Sequence, residues 1–427
     1  MGQGVTLGLD IGTRVIKFCE MRPGREGPEL LSWGACPTPA NTISNGVIVD
    51  PATLASALRD LLASQGARSR RVNCAVASQS SLVVRPIEVP RMSEAELAET
   101  MRWEVERYIP FAASEVIVDY KPLLPIDQLP ADAQNLEVLL AAGQEDMINA
   151  YVETLSLARL EPLALDVEPL STCRSLIDIN ADQNAYEQVV ALVNIGAGTT
   201  DISIIRRGAL AFCRPVPVAG DALTTAISEG LGREFEEAER LKLEEGMILF
   251  DPALYRPALR RGEPVAPAEP AAPPPPQVEI APPEEVPDRP IFDLGEEPSP
   301  PPTAAPEEPG LPPIPTTQTV GDSMGRRVFE SIAPTLAELI TEIRRSLDFY
   351  SNRFPQARVE KVLVFGGTTR LPHFDLFLSN ELGLPVEVGD PLRRLHVTAP
   401  GGLSEELKSL SPMFPVAIGM GIRDMLE

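Results

Sequence analysis

Gly8-Leu9-Asp10-Ile11-Gly12-Thr13-Arg14-Val15-Ile16-Lys17-Phe18 is the stretch on which the reading of the whole chain turns. Val5 to Leu9 is a short apolar strand that ends on a carboxylate, Asp10. A glycine turn follows, and Val15 to Glu20 alternates as the returning arm of a hairpin. Glycine lets the backbone turn sharply and bring its N–H groups close to an anion. Thr13 adds a hydroxyl donor. A carboxylate at a strand end suits Mg²⁺ held through its water shell.

The pattern of buried strand and glycine turn occurs twice more. Val189 to Asn194 runs into Asn194-Ile195-Gly196-Ala197-Gly198-Thr199-Thr200-Asp201, and Val362 to Phe365 runs into Gly366-Gly367-Thr368-Thr369-Arg370-Leu371-Pro372. One such turn is more often structural than functional. Three in this order point to a nucleotide. Two facing hairpins clamp the β- and γ-phosphates, and the third turn offers a flat glycine surface for an adenine.

Around these turns, strands and helices alternate, which argues α/β layers. Thr53 to Gln65 reads as a helix with Leu54, Leu58, Leu61 and Leu62 inside, and Val72 to Ala77 as a buried strand. Ser93 to Ile109 reads as a helix with a Ser93–Glu96 capping box, stopped by Pro110. Its stripe is Leu97, Met101, Val105 and Tyr108, and Trp103 lies off that stripe. Glu137 to Ala142 reads as a strand. Phe329 to Tyr350 reads as a long amphipathic helix, and Pro372 as the first turn of another.

Composition bounds the rest. The chain has 427 residues and a net charge of -24. Such a surface repels nucleic acid and anionic lipid, and the basic clusters at Arg68 to Arg71 and Arg206-Arg207 are short. Five scattered cysteines without a CxxC pair read as free thiols, and two histidines leave little for a histidine metal centre or triad. No run approaches the ~20 apolar residues of a membrane span. From Asp251 to Val320, roughly half of the 45 prolines gather with Ala and Glu. This composition reads as a disordered, acidic, Pro-rich insertion.

The order of the three turns resembles the superfamily of actin, heat-shock chaperones and sugar kinases. The resemblance implies an α/β, actin-like two-lobed ATPase fold with ribonuclease H-like subdomains, an inserted partner-binding subdomain and a disordered Pro-rich insertion. It makes Asp10, Gly12, Thr13, Arg14 and Lys17 the first phosphate loop, with Lys17 as the phosphate lysine. Asn194, Gly196, Ala197, Gly198, Thr199 and Thr200 become the second. Glu239 and Lys242 reach ribose and base, and Gly366, Gly367 and Thr368 form the adenosine loop. Asp166 to Leu170 and Ala417 to Gly421 resemble the two interdomain connectors. The implied cofactors are ATP and Mg, the metal held through water by Asp10 and Asp201. The superfamily usually has Asp where Asn194 stands, so binding with slow or absent hydrolysis is expected, Asp201 compensating in part. Glu168, just before Pro169, stands where related polymerising proteins place a water-orienting catalytic residue, the other reading being an interdomain hinge contact.

Trp103 to Phe111 with its Arg107-Tyr108-Ile109-Pro110-Phe111 run, the Gly366-Gly367-Thr368 turn, and Leu382 to Val386 resemble more narrowly the actin-like PilM family of type IV pilus assembly, related to FtsA. The resemblance covers most of the chain except the Pro-rich insertion. The implied domains are a first lobe core over 1–80, an inserted subdomain over 81–165, and a second lobe core over 166–222. A smaller second-lobe subdomain spans 223–350 and contains the 251–320 insertion. The return to the second core and first lobe spans 351–427. The implied partner is the N-terminal cytoplasmic tail of the inner-membrane protein PilN, bound by the inserted subdomain, with other pilus inner-membrane components and a cytoplasmic motor beyond it. Trp103, Tyr108 and Phe111 are the candidate contacts, their other reading being core packing within that subdomain. Membrane association is then indirect, and homo-oligomers stay open. Two alternatives share the fold: a sugar or small-acid kinase, for which no sugar pocket is visible, and an FtsA-like filament anchor. The latter carries a C-terminal amphipathic membrane helix, and no such pattern precedes Glu427.

Overall fold

In this computed structural model, which describes residues 4–77, 80–124, 126, 133–178, 186–249 and 323–425, the opening motif folds as an antiparallel meander. β1 (Thr6–Ile11), β2 (Val15–Gly24) and β3 (Gly27–Pro37) pair in sequence order. A minimal hairpin follows, β4 (Ile43–Ser44) and β5 (Val47–Ile48), turning on Asn45 and Gly46 at φ 50° and 76°. Two consecutive positive φ values are what a tight hairpin turn demands, which favours Asn-Gly there. In α1 (Pro51–Ser64) the N-cap Asp50 accepts a hydrogen bond from the Thr53 N–H, and Leu54, Leu58, Leu61 and Leu62 are buried. β6 (Arg71–Val76) then enters parallel to β1.

An excursion comes next. β7 (Leu82–Pro90), α2 (Glu94–Glu104), β8 (Val116–Pro122) and β9 (Asn135–Gln144) build a separate three-stranded sheet in the order β7-β9-β8 with one helix. The chain returns through α3 (Glu145–Leu157) and β10 (Glu161–Val167), which pairs parallel to β6. Met147, Tyr151 and Leu155 of α3 sit in the core of the first sheet. The 81–165 boundary therefore runs past the excursion, whose own sheet ends at Gln144.

The second lobe repeats the first. After α4 (Glu168–Leu176) come β11 (Val189–Ile195), β12 (Thr200–Arg206) and β13 (Ala209–Val216), again an antiparallel meander. Helices α5 (Gly220–Leu231), α6 (Phe235–Glu245) and α7 (Met324–Arg353) lead to β14 (Lys361–Phe365), parallel to β11 as β6 is to β1. α8 (Phe374–Leu382), β15 (Val386–Val388), β16 (His396–Val397), α9 (Glu405–Leu410) and α10 (Pro415–Gly421) close the chain. The sheets run β10-β6-β1-β2-β3-β16 and β13-β12-β11-β14-β15. α7 buries Ile332, Leu336, Leu339, Ile343 and Leu347, one face of its 3.6-residue period.

The lobes join where α4 meets α10. The Ser171 hydroxyl donates to the Val416 carbonyl at 2.6 Å, and a Cβ on Gly419 would overlap the Ser171 carbonyl. Two helices approach this closely only with a hydrogen at the crossing point.

Two local expectations are corrected. The α-helix begun at Ser93, with its capping box formed, ends at Glu104 and tightens into a 3₁₀ turn over Val105–Arg107. Pro372 stands outside the helix it was to open, because His373 takes a left-handed φ of 66° before α8 begins at Phe374. The Pro-rich 251–320 stretch lies outside the described residues.

Candidate functional site

The first two glycine turns face each other across a cleft of about 1300 Å³. A Cβ placed on Gly198 would come within 3.7 Å of the Thr13 hydroxyl, so the tips of the two hairpins nearly touch. Register explains the match. Asp10 sits opposite Lys17 on β1–β2, and Asn194 opposite Asp201 on β11–β12. The same seven-residue spacing closes the same hairpin in each lobe. Gly12 stays tight: its N–H donates to the Val15 carbonyl at 3.2 Å, and an added Cβ would lie 2.8 Å from that oxygen.

The third turn docks on the second. Gly366 has φ 100°, and its missing Cβ leaves room for the Asn194 side-chain oxygen, 2.7 Å from where a Cβ would sit. The Thr368 hydroxyl donates to the Gly196 carbonyl at 3.3 Å. Asp10, Gly12, Thr13, Arg14, Lys17, Glu168, Asn194, Asp201, Glu239, Lys242 and Gly366 to Thr368 all line the cleft, as do Gly196 to Thr199. Thr200 does not. It is fully buried, and its hydroxyl donates to the Val218 carbonyl at 2.7 Å, so its inclusion in the second phosphate loop is corrected. Strand alternation turns it inward once Thr199 faces the cleft.

Several of these groups are already engaged. Lys17 Nζ lies 2.7 Å from Asp10. Lys242, nearly buried, donates to the Gly220 carbonyl at 2.9 Å and the Thr224 hydroxyl at 2.7 Å, and pairs with Glu239. It braces α5 against α6. The amide of Asn194 donates to the Glu168 carboxylate. Burial, then the negative charges of Asp201 and Asp10, push Glu168 well above the usual carboxylate range, against the pull of that hydrogen bond.

Burial likewise pushes Asp201 up to about 6, although the Thr199 hydroxyl donates to it at 3.0 Å. A carboxylate raised this way contributes most when protonated. Its share of stability is present below the ordinary carboxylate range and is lost as pH rises through about 6. Asp201→Asn should therefore gain stability relative to the parent as pH climbs from 4 to 7. Thermal melts of both proteins across that range check this, and a constant gap between them contradicts it.

Trp103, on α2, is 77% exposed. Tyr108 and Phe111 are half-buried and pack against the core of the excursion sheet, with the Arg85 guanidinium 5.9 Å from the Tyr108 ring centre. Leu139 of that sheet shares an apolar cluster with Leu363 and Phe365 of β14, and Phe365 is the residue before Gly366.

The family model described as type IV pilus assembly protein PilM matches residues 8–248. The chain belongs to the PilM family. The model for cell division protein FtsA matches residues 191–419. A solved PilM–PilN type IV pilus biogenesis complex is similar over 99% of this chain and 98% of that one, with TM-score 0.73 and 25% identity. FtsA of Bacillus subtilis (strain 168) is 29% identical over 118 residues, 28% of this chain and 26% of that one. FtsA of Pseudomonas aeruginosa is 24% identical over 258 residues, 56% of this chain and 60% of that one. The chain thus spans between about a quarter and three fifths of the length of these two curated relatives. The fold is the actin-like, two-lobed one, and this PilM-family chain is an actin-like protein of type IV pilus assembly. Among the described residues no helix is long and apolar enough to cross a membrane.

Sequence reasoning missed several residues of the cleft of this PilM-family chain. Ile43, Asn45 and Gly46 of the small hairpin, Tyr151 of α3 and Asp221 of α5 all line it. Asn45-Gly46 carried a legible turn signal. Tyr151 and Asp221 carried none, since only tertiary packing brings them there.

Proposed function

We propose that this chain is an ATP-binding scaffold of pilus assembly that holds the N-terminal tail of PilN and presents it according to nucleotide state. The observation that carries the reading is the near-contact of Thr13 and Gly198 from opposite lobes, which sets two glycine turns where one triphosphate meets both. The donor set fits the group. Glycine turns and Lys17 suit phosphates, while Asp10 and Asp201 suit the hydrated Mg²⁺ that accompanies them. Bound Mg²⁺ would neutralise phosphate charge. Glu239 and the Gly366–Thr368 turn would hold the adenosine end, with Lys242, whose donors go to Gly220, Thr224 and Glu239, positioning Glu239. Glu168 is tied to Asn194, which supports slow or absent hydrolysis.

The tail would lie on the excursion subdomain, with Trp103 as its apolar anchor. Exposed Glu99 and Glu106 stand about one turn to either side of Trp103, which favours basic residues in the tail. The cluster joining Leu139 to Phe365 offers a route by which the nucleotide turn biases that subdomain. Attachment to the inner membrane would then be indirect, through the partner, with the cytoplasmic motor beyond. Sedimentation with ATP and Mg²⁺ tests whether the chain also self-associates.

The deciding experiment is calorimetry with ATP and Mg²⁺, followed by titration of the tail peptide into each nucleotide state. ATP binding and a tail affinity that differs between states are expected. No ATP binding sinks the nucleotide reading, and equal tail affinities sink the gating. Lys17→Ala should weaken ATP at least about tenfold, because it removes a cation from an enclosed phosphate site.

A further inference from the structure

Arg14 was expected among the phosphate ligands, yet its side chain is engaged across the cleft. Its Nε lies 3.1 Å from Asp221 Oδ1 and 3.4 Å from Oδ2. Nη1 lies 3.8 Å from Glu236, and the guanidinium stands 4.6 Å from the Phe235 ring centre. Arg14 belongs to the β1–β2 turn of the first lobe, whereas Asp221 opens α5 and Phe235 and Glu236 open α6 in the second. Every one of these contacts therefore joins lobe to lobe.

Both ends of the contact are anchored. The Thr38 hydroxyl donates to the Gly12 carbonyl at 2.7 Å and the Thr38 N–H to the Arg14 carbonyl at 2.9 Å, which fixes the first turn. The Asp221 N–H donates to the Ala197 carbonyl at 2.8 Å and the Gly220 N–H to the Gly196 carbonyl at 3.0 Å, which fixes the second. A shift of either lobe thus moves the backbone at one end of the pair. The side chains are 39% and 36% exposed, so the pair adds little to global stability. Its effect falls on the lobe separation, a motion that breaks all three contacts together.

We propose that Arg14 is an inter-lobe clasp, closed on Asp221, Glu236 and Phe235, that sets the rate at which a ligand leaves the cleft. The clasp rests on the nucleotide reading only for the identity of that ligand. Opening must break the clasp, so weakening it speeds release while leaving the turns that hold the phosphates in place.

The test uses the full chain and a fluorescent ATP analogue with Mg²⁺. Arg14→Gln should speed its release about tenfold. Arg14→Asp and Asp221→Arg should each do so as well, and the double reversal should return the rate toward that of the parent. A second measurement needs no ligand: hydrogen exchange of the nucleotide-free protein should quicken at residues 12–15, 220–223 and 235–238 in Arg14→Gln. Unchanged release in the single variants, or a double reversal no slower than the singles, overturns the clasp. If the parent binds no nucleotide, the nucleotide reading fails, and the clasp then stands or falls on the exchange at those three segments.

Discussion

Trp103→Ala is expected to weaken the proposed binding of the PilN tail about thirtyfold while moving the melting temperature by less than about 2 °C. The two halves of this expectation have separate causes. An indole left 77% exposed contributes almost nothing to the core, and substitutions at such positions usually stay within about 0.5 kcal/mol. At an interface the same ring becomes the largest apolar surface on its helix. Loss of a buried aromatic anchor costs about 2 kcal/mol or more, which is about thirtyfold in affinity. Tyr108→Ala supplies the contrast. That ring packs on the core built by Leu97, Met101 and Val105, so its loss should lower stability as well as binding. Calorimetry with the tail peptide, paired with thermal melts, separates the cases. A Trp103→Ala variant that binds as tightly as its parent would move the partner surface away from α2.

The legibility of this molecule follows the range of each interaction. Hairpins around Asp10 and Asn194 were readable because a turn, a strand end and a seven-residue register are local events. Trp103 was readable as off-stripe because helical phase is local too, and its exposure follows. The end of α2 at Glu104 was less readable. Nothing in Val105-Glu106-Arg107 forbids a helix, and the 3₁₀ turn comes before the stop signal at Pro110. Thr200 was misplaced because two adjacent threonines look alike until strand alternation is fixed by the Asn194–Asp201 register. The engagement of Arg14 with Asp221 joins residues 207 positions apart, and no periodicity encodes it. The glycine turns were thus written locally, and the relation between the two lobes was written in packing.

That packing rests on a few glycines, and Gly8→Ala should show it most sharply. Gly8 lies within β1, paired with Cys19 on β2 and Asn73 on β6, at the centre of the first sheet. Its backbone does not take a positive φ, so alanine meets no conformational objection there. The objection is steric. A Cβ on Gly8 would overlap the carbonyl oxygen of Ala417 and the backbone nitrogen of Gly421, both on α10. Neither is the movable end of a side chain, so α10 must shift bodily away from β1. Its other side is pinned, because Gly419 fits against the Ser171 carbonyl of α4. One methyl group therefore strains both connections between the lobes. The expected loss is about 3 kcal/mol or more, the upper end of overpacking costs. Gly232→Ala is the control. Gly232 has φ 63° with nothing within 4 Å of an added Cβ, so only the left-handed backbone penalty of about 1–2 kcal/mol applies. Chemical denaturation of the three proteins ranks them. Gly8→Ala must fall clearly below Gly232→Ala, and equal stabilities would mean that α10 yields freely and does not lock the first lobe to the second.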